Sequence, residues 1–355
     1  MVSSKQPILL NAGNLWTEKY LNRVIELNTQ YGKTVRVKSI FGSMAKITPT
    51  ARSVDRLPYL GWQDTAKFID TARCNDIKIR YTLNASCIGA IQDFKNFWDL
   101  QMKADLRRLH SMGVDEWTIT SPLLMTLLRD MFPDDFLEVS TIAEVATPTD
   151  AKRWMALGAN GVNLSTNINR DFITIRNIAA MGIEVSVLAN EACLYRCPYR
   201  RECYNLSSHN SQRGEGLFGF YPFRYCNEIR MRDKSEWLKA RMILPQWMKV
   251  YRRQAGVNWF KVAYRTHPYE VAIPILEVYM RQEHNGNYLD LWPTVSHLGN
   301  TAEPQNMQYI SCDGLDKLDF LSMFMKGAML CSTDICGVDC RYCESIIAQL
   351  ESSPL

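Results

Sequence analysis

Eight short runs rich in β-branched and aromatic residues recur along the chain, and their rhythm restricts the fold more than any other feature. They lie near Ile8 to Ala12, Thr34 to Phe41, Ile77 to Asn84, Glu116 to Thr120, Leu137 to Thr141, Gly161 to Ser165, Ile183 to Ala189 and Trp259 to Ala263. Such runs read as strands. Between most of them lie amphipathic stretches, among them Asn96 to Met112, Ala151 to Leu157 and Asp171 to Met181. Each of these is followed by a glycine, Gly113, Gly158 or Gly182, that can stop a helix. Strand, helix and strand in alternation imply a parallel sheet with right-handed crossovers. Eight units match a (β/α)8, TIM-like α/β barrel, whose active site lies where the strands end. An open doubly wound sheet is the other arrangement of such units, but GxGxxG does not follow the first strand to support a dinucleotide site. With 355 residues, 46% of them apolar, the chain can fill one barrel and carry additions.

The rhythm breaks once. Roughly 70 residues separate the seventh run from the eighth, against the ~25 to 35 expected of one unit. An insertion over residues 190–256 is therefore expected after strand seven, at the active-site end. Residues 1–300 then form the barrel with its insertion, and residues 301–355 a small cysteine-rich extension.

The insertion and the extension hold nine of the eleven cysteines, eight of them in two groups. Cys193, Cys197, Cys203 and Cys226 fall within 34 positions, and Cys331, Cys336, Cys340 and Cys343 close the chain. An odd total argues against a complete disulfide framework. Thiolates at these spacings suit zinc or an iron-sulfur cluster, and the spacing alone does not separate the two. Cys74, Cys87 and Cys312 read as core residues.

The chain carries 41 basic and 37 acidic side chains, a net charge of +4, too balanced to announce a nucleic-acid binder. A local run of Arg196, Arg200, Arg201, Arg213 and Arg224 interleaves with Tyr195, Tyr199 and Tyr204. Such a run can bind an RNA strand; offsetting an anionic cluster or a small anionic substrate is the favoured reading. The first residues lack the apolar run of a secretory signal, and no stretch approaches the ~18 apolar residues of a spanning helix. A cytoplasmic protein is expected, in whose reducing surroundings clustered cysteines hold metal rather than pair.

Chemistry beside a cluster needs an anion site. Lys261 and Arg265, at the end of strand eight, and Arg170, after strand six, are expected at the rim, where arginine grips a carboxylate or phosphate bidentately. The competing expectation is that they pair with Glu191 or Asp171. Asn84, ending strand three, is placed to orient substrate through its amide. His209 alone among the histidines falls near the cysteines, as a ligand or proton donor.

Three runs carry a family resemblance: Tyr81-Thr-Leu-Asn84-Ala-Ser, Asn190-Glu-Ala-Cys193-Leu-Tyr-Arg-Cys197-Pro-Tyr-Arg200, and Phe260-Lys261-Val-Ala-Tyr-Arg265-Thr266. With Phe41-Gly42-Ser43, Asn169-Arg170-Asp171-Phe172, Gly286-Asn287-Tyr288-Leu289-Asp290-Leu291 and the terminal cysteines, the chain resembles the collagenase-like peptidase U32 family over nearly its whole length. The resemblance implies an iron-sulfur branch whose better understood members are oxygen-independent hydroxylases of ubiquinone precursors, ribosomal RNA or transfer RNA. It further implies one or two 4Fe-4S clusters, prephenate as oxygen donor in some branches, an electron donor, and a related subunit as hetero-oligomeric partner. Many relatives have histidine at the position of Cys203, followed by Ser-His near Ser208-His209, which leaves the fourth ligand open. Many also have glycine at the position of Tyr264, so a bulky ring here is expected to narrow the pocket.

Hydrolysis of peptides is the least favoured enzymatic reading. HExxH and GxSxG are missing from the sequence, and the cysteine nearest His209 is the ligand candidate Cys203. A small aromatic, a specialised metabolite or an RNA base is the expected substrate. The alternative is a non-catalytic electron-transfer or scaffold subunit.

Overall fold

The computed structural model describes residues 6–47, 49–89, 101–191, 193–213, 221–264, 267–292, 308–328, 331 and 333–352, without the side chains of 213 and 221–224. Eight strands, β1 (Ile8–Gly13), β2 (Val35–Gly42), β3 (Lys78–Leu83), β4 (Glu116–Ile119), β5 (Phe136–Val139), β6 (Gly161–Asn163), β7 (Glu184–Leu188) and β8 (Trp259–Val262), close into a parallel barrel in sequence order. β8 pairs with β1 to shut it, Lys261 opposite Asn11. The expected (β/α)8 architecture is the one found. Gly113, Gly158 and Gly182 have φ of 102°, 98° and 82°, the left-handed conformation that a side chain resists, and each ends its helical stretch.

Outward strand residues such as Val35, Val37, Ile79 and Phe260 pack under the helices in one continuous apolar core. The lumen is different, because much of it is charged. Arg80, 1% exposed, meets Glu116 and Glu138 at 2.8 Å each and Glu184 at 3.5 Å. The rings of Phe136 and Trp259 lie near its guanidinium, at 4.7 and 5.1 Å. Glu138 also accepts from Thr118 at 2.8 Å, and from Lys261 at 3.3 Å. Burial pushes the Glu138 carboxyl up, but Lys261, Arg80 and the Thr118 hydroxyl outweigh it and hold it at about 2. A buried ion network like this survives only because each charge has its partner.

The insertion after β7 is helical. It contains α7 (Arg200–Arg213), α8 (Tyr221–Arg232), α9 (Ser235–Lys239) and α10 (Met248–Ala255), counting the six helices Glu18–Tyr31, Trp62–Cys74, Lys103–Ser111, Pro122–Met131, Pro148–Ala156 and Phe172–Ala179 as α1 to α6. After β8 come α11 (Tyr269–Arg281), α12 (Cys312–Lys317), α13 (Ser322–Met325) and α14 (Tyr342–Ser352). The terminal helices dock on the insertion. Trp237 Nε1 donates to Gln308 at 2.7 Å and Trp247 Nε1 to Asp316 at 2.6 Å, while Lys239 pairs with Glu344 at 2.8 Å. Ile346 and Ile347 belong to the same apolar core as the barrel helices. Among the described residues, no helix is long and apolar enough to cross a membrane.

Candidate functional site

The insertion returns over the carboxyl ends of the strands because Asn190 ties it there. Its side-chain amide donates to the carbonyls of Ala263 at 3.0 Å and Leu291 at 3.1 Å, and accepts from Ala263 N at 2.7 Å. One buried side chain thereby joins the end of β7 to the end of β8. Helix α7 is then held across the loops after β2 and β3 by small polar contacts. Thr50 N donates to Ser211 Oγ at 3.1 Å, Ser86 N to Ser208 Oγ at 2.9 Å, and Gln212 Nε2 to Cys87 O at 3.0 Å. Asn84 supports the wall beneath: its Oδ1 accepts from Thr50 Oγ1 at 3.1 Å and Ala51 N at 3.2 Å. The substrate-orienting residue of the sequence reading thus positions a loop with its carbonyl oxygen.

Four cysteines gather on this cover. Buried Glu191 accepts from Tyr204 Oη at 2.7 Å, pairs with Arg200 at 3.4 Å and takes a hydrogen bond from the Cys193 thiol. Burial pushes Cys193 well up, and the Glu191 carboxylate adds to it. The rings of Tyr199 and Tyr225 meet edge-on at 4.7 Å, which brings the Cys197–Cys203 turn against Cys226 on α8. Burial, then the neighbouring Cys197 and Cys226, push the Cys203 thiol to about 12. Arg230 donates to Cys226 Sγ at 3.6 Å, and its charge also acts on Cys193. Among the described residues no three His, Cys, Asp or Glu side chains converge tightly enough to hold a metal ion as they stand. The thiols are neighbours, not a closed ligand shell.

The terminal quartet also reaches the barrel mouth, through Arg170. This residue follows β6, as the sequence reading required, and is 4% exposed. Its guanidinium lies between the rings of Phe320 and Phe324, at 4.6 and 5.0 Å, and Nη1 points to Cys343 Sγ at 4.0 Å. Burial pushes Cys343 up to about 11 against the pull of Arg170, and Cys331 and Cys336 contribute to the rise. Cys336 and Cys340 face each other in an isolated bridge. Tyr195 Oη donates to the carbonyl of Cys331 at 2.6 Å, so the insertion and the extension meet here.

Other expectations need correction. Lys261 does not reach the rim to receive an anion; it is 5% exposed in the lumen, paired with Glu138 and over the Phe41 ring at 4.3 Å. Its partner is neither Glu191 nor Asp171. Asp171 instead caps α6, accepting from Thr174 N at 2.9 Å and Thr174 Oγ1 at 2.7 Å. Tyr264 does not narrow the mouth, because its hydroxyl lies 3.0 Å from that of Tyr20 on α1, in the layer between barrel and helices. His209 is exposed on α7, between buried Ser208 and Asn210. Arg265 lies outside the described residues. Of the three cysteines read as core, Cys312 is buried, Cys87 half-buried and Cys74 exposed at the end of α2. The basic run divides: Arg200 is buried against Glu191 and Glu144, Arg196 and Arg201 are exposed, and the side chains of Arg213 and Arg224 are outside the described set. Sequence reasoning missed Arg230 and Arg241, both buried. For Arg241 a signal existed, a charge inside the otherwise apolar Met242-Ile243-Leu244 approach.

A groove of about 480 Å³ lined by Trp16, Tyr59 and Phe68 lies between α1 and α2, away from every cysteine pair described above. The chemistry-bearing residues thus define a cysteine-rich barrel protein with its thiols on additions at the strand ends. The chain belongs to peptidase family U32, whose profile matches residues 56–282. It is 29% identical over 238 residues to an uncharacterized protease of Methanocaldococcus jannaschii, a match covering 65% of this chain and 68% of that one. A solved U32 peptidase structure resembles it with a TM-score of 0.48 at 18% identity, over 61% of this chain and 82% of the other. A conserved protein of unknown function from an Enterococcus faecalis locus follows at 0.40 and 11%, over 77% and 65%.

Proposed function

We propose that this protein is an iron-sulfur enzyme, an oxygen-independent hydroxylase or oxidoreductase that works on a small aromatic, a specialised metabolite or an RNA base at the mouth of its barrel. The reading is carried by one observation, the gathering of Cys197, Cys203 and Cys226 around the Tyr199–Tyr225 contact, with Cys193 joined to them through Arg230. These four would hold the cluster, and the donor set is of the right kind: thiols only, with a buried arginine beside them to offset negative charge. Cys331, Cys336, Cys340 and Cys343 are the second candidate centre.

A bound cluster supplies one-electron transfer, or a Lewis-acidic iron where ligation is incomplete. The chain's own residues shape the place where that happens. Asn190 fixes the cover to the strand ends, and Asn84 fixes residues 50–51 as a wall. Glu191 is held ionised by Arg200 and by hydrogen bonds from Tyr204 and Cys193, despite its burial. Peptide hydrolysis fits these surroundings poorly. A nucleophilic cysteine wants a cation or an imidazole to lower its thiol, and at Cys193 burial and the Glu191 carboxylate outweigh the arginines Arg200 and Arg230 and push it up.

Anaerobic purification followed by absorption, iron and sulfide analysis tests the reading. Iron and sulfide in stoichiometric amounts are expected, and a colourless protein holding zinc alone would sink it. Cys226→Ala should strip iron from the mouth site; unchanged iron would remove Cys226 from the ligand set.

A further inference from the structure

A second arrangement at the barrel mouth does not use the first thiol group. Between the loop after β6, the start of the insertion and the terminal segment lies a hollow of about 60 Å³, lined by Arg170, Arg196, Arg241, Tyr195, Phe324 and Cys331 among others. Three of these are arginines. Arg170 Nε and Nη2 are fully buried and have no acceptor among the described residues, and its remaining nitrogen finds only a sulfur at 4.0 Å. Arg241, 4% exposed, stacks on the Tyr195 ring at 3.6 Å and donates through Nη1 to the carbonyl of Asn167. Arg196 is exposed at the edge and donates through Nε to Tyr195 Oη at 3.0 Å. None of the three is ion-paired to the carboxylate that lines the same hollow, because Asp171 is engaged by Thr174 at the start of α6.

Two further facts point the same way. Arg196 and Arg241 both have left-handed backbones, with φ of 48° and 66°, a conformation that costs free energy in a residue with a side chain and is retained where it places that side chain. Arg170 and Arg241 also lie near enough to repel each other. Buried like charges this close are costly unless an anion offsets them.

We infer that this hollow is an oxyanion site, which takes a carboxylate or a phosphate group with Arg170 as its floor and Arg241 and Arg196 as its walls. A guanidinium fork matches the paired oxygens of either group. The volume is about twice that of a water molecule in the liquid, so the site holds the charged group itself. The rest of a larger molecule would extend past exposed Arg196 into solvent. This assignment replaces the Lys261-centred anion site that the sequence suggests; it stands apart from the first thiol group and borders the terminal one through Cys331 and Cys343.

Inorganic phosphate and acetate, titrated separately into the full chain at constant ionic strength with chloride as reference, provide the test by calorimetry and thermal unfolding. Saturable binding of one or both is expected, with a rise in Tm; phosphate alone or acetate alone identifies the group the site prefers. Arg241→Gln should weaken binding roughly tenfold or more, as expected for loss of a charge-assisted hydrogen bond. Exposed Arg196→Gln should weaken it about threefold. Should Arg241→Gln fail to fold, Arg196→Gln and the wild-type titration still decide. The inference falls if neither probe binds beyond chloride, or if Arg196→Gln and a folded Arg241→Gln bind as the wild type does. Cys226→Ala, with its iron measured, should bind the anion unchanged, which keeps this result separate from the fate of the first cluster, and iron analysis of the wild-type protein before and after phosphate addition separates it from the terminal one.

Discussion

The lumen and the mouth of this barrel both bury arginines, and two at the mouth, Arg170 and Arg230, are treated in the opposite way to Arg80 in the lumen. In the lumen Arg80 has three carboxylates within 3.5 Å and Lys261 has Glu138. At the mouth Arg170 has two rings and a sulfur, and Arg230 has Trp237 at 4.6 Å and the Cys226 sulfur. Inside the barrel the charges balance within the chain, which marks a structural network. Around the cysteines Arg200 is paired in the same way, with Glu191 and Glu144, but the charges of Arg170 and Arg230 are left for something else to balance, which marks a place for ligands. Both regions are buried, so burial alone would not have separated them.

Four substitutions can break or sharpen that contrast. The largest effect is expected at the mouth, where Cys197→Ser should abolish iron binding by the first thiol group while leaving the fold intact by circular dichroism; a folded variant with full iron would dissolve the distinction. Glu138→Leu should cost about 3–5 kcal/mol in urea unfolding, because it strands Arg80 and Lys261 without their shared partner. A loss below about 1 kcal/mol would mean the lumen network is not balanced as described. Asn190→Ala removes three hydrogen bonds and should cost about 2–3 kcal/mol, with faster proteolysis of the insertion as its local signature.

The smallest effect is a pH dependence. Burial pushes Glu184 to about 7, against the pull of Arg80. Its unfolded carboxyl ionises near the ordinary glutamate value, so the unfolded state gives up its proton first as pH rises. Stability from this group is therefore full at low pH and declines between roughly pH 4.5 and 7. The residue is 27% exposed, so the decline should amount to only about 1–2 kcal/mol. Glu184→Gln should flatten it, and an unaltered pH profile would refute the assignment.

The strands could be read because β-branched runs between helix-stopping glycines leave little choice, and Gly113, Gly158 and Gly182 do adopt the left-handed backbone that this reading needs. The insertion was legible as a length anomaly. Side-chain direction was not. On a barrel strand both faces are buried, so nothing in Phe260-Lys261-Val262 says that the lysine points inward to a glutamate 123 positions away. Tyr264 lies just past the same strand, and only the hydroxyl of Tyr20 across the layer tells its orientation. For the site, the cysteine spacings announced thiol groups, and Arg230 lies one helical turn from Cys226 on α8, but Arg170 faces Cys343 from a distant segment and carries no local signature of the pairing.

The contact between Arg170 and Cys343 spans 173 positions, and that distance has a meaning in time. During synthesis the loop after β6 is made well before Cys343, by roughly 10 to 35 s at ordinary elongation rates. Until then the rings of Phe320 and Phe324 that shelter the Arg170 guanidinium do not exist. Arg170 meanwhile lacks its cover, and it is the arrival of α14, which carries Cys343, that finishes the wall.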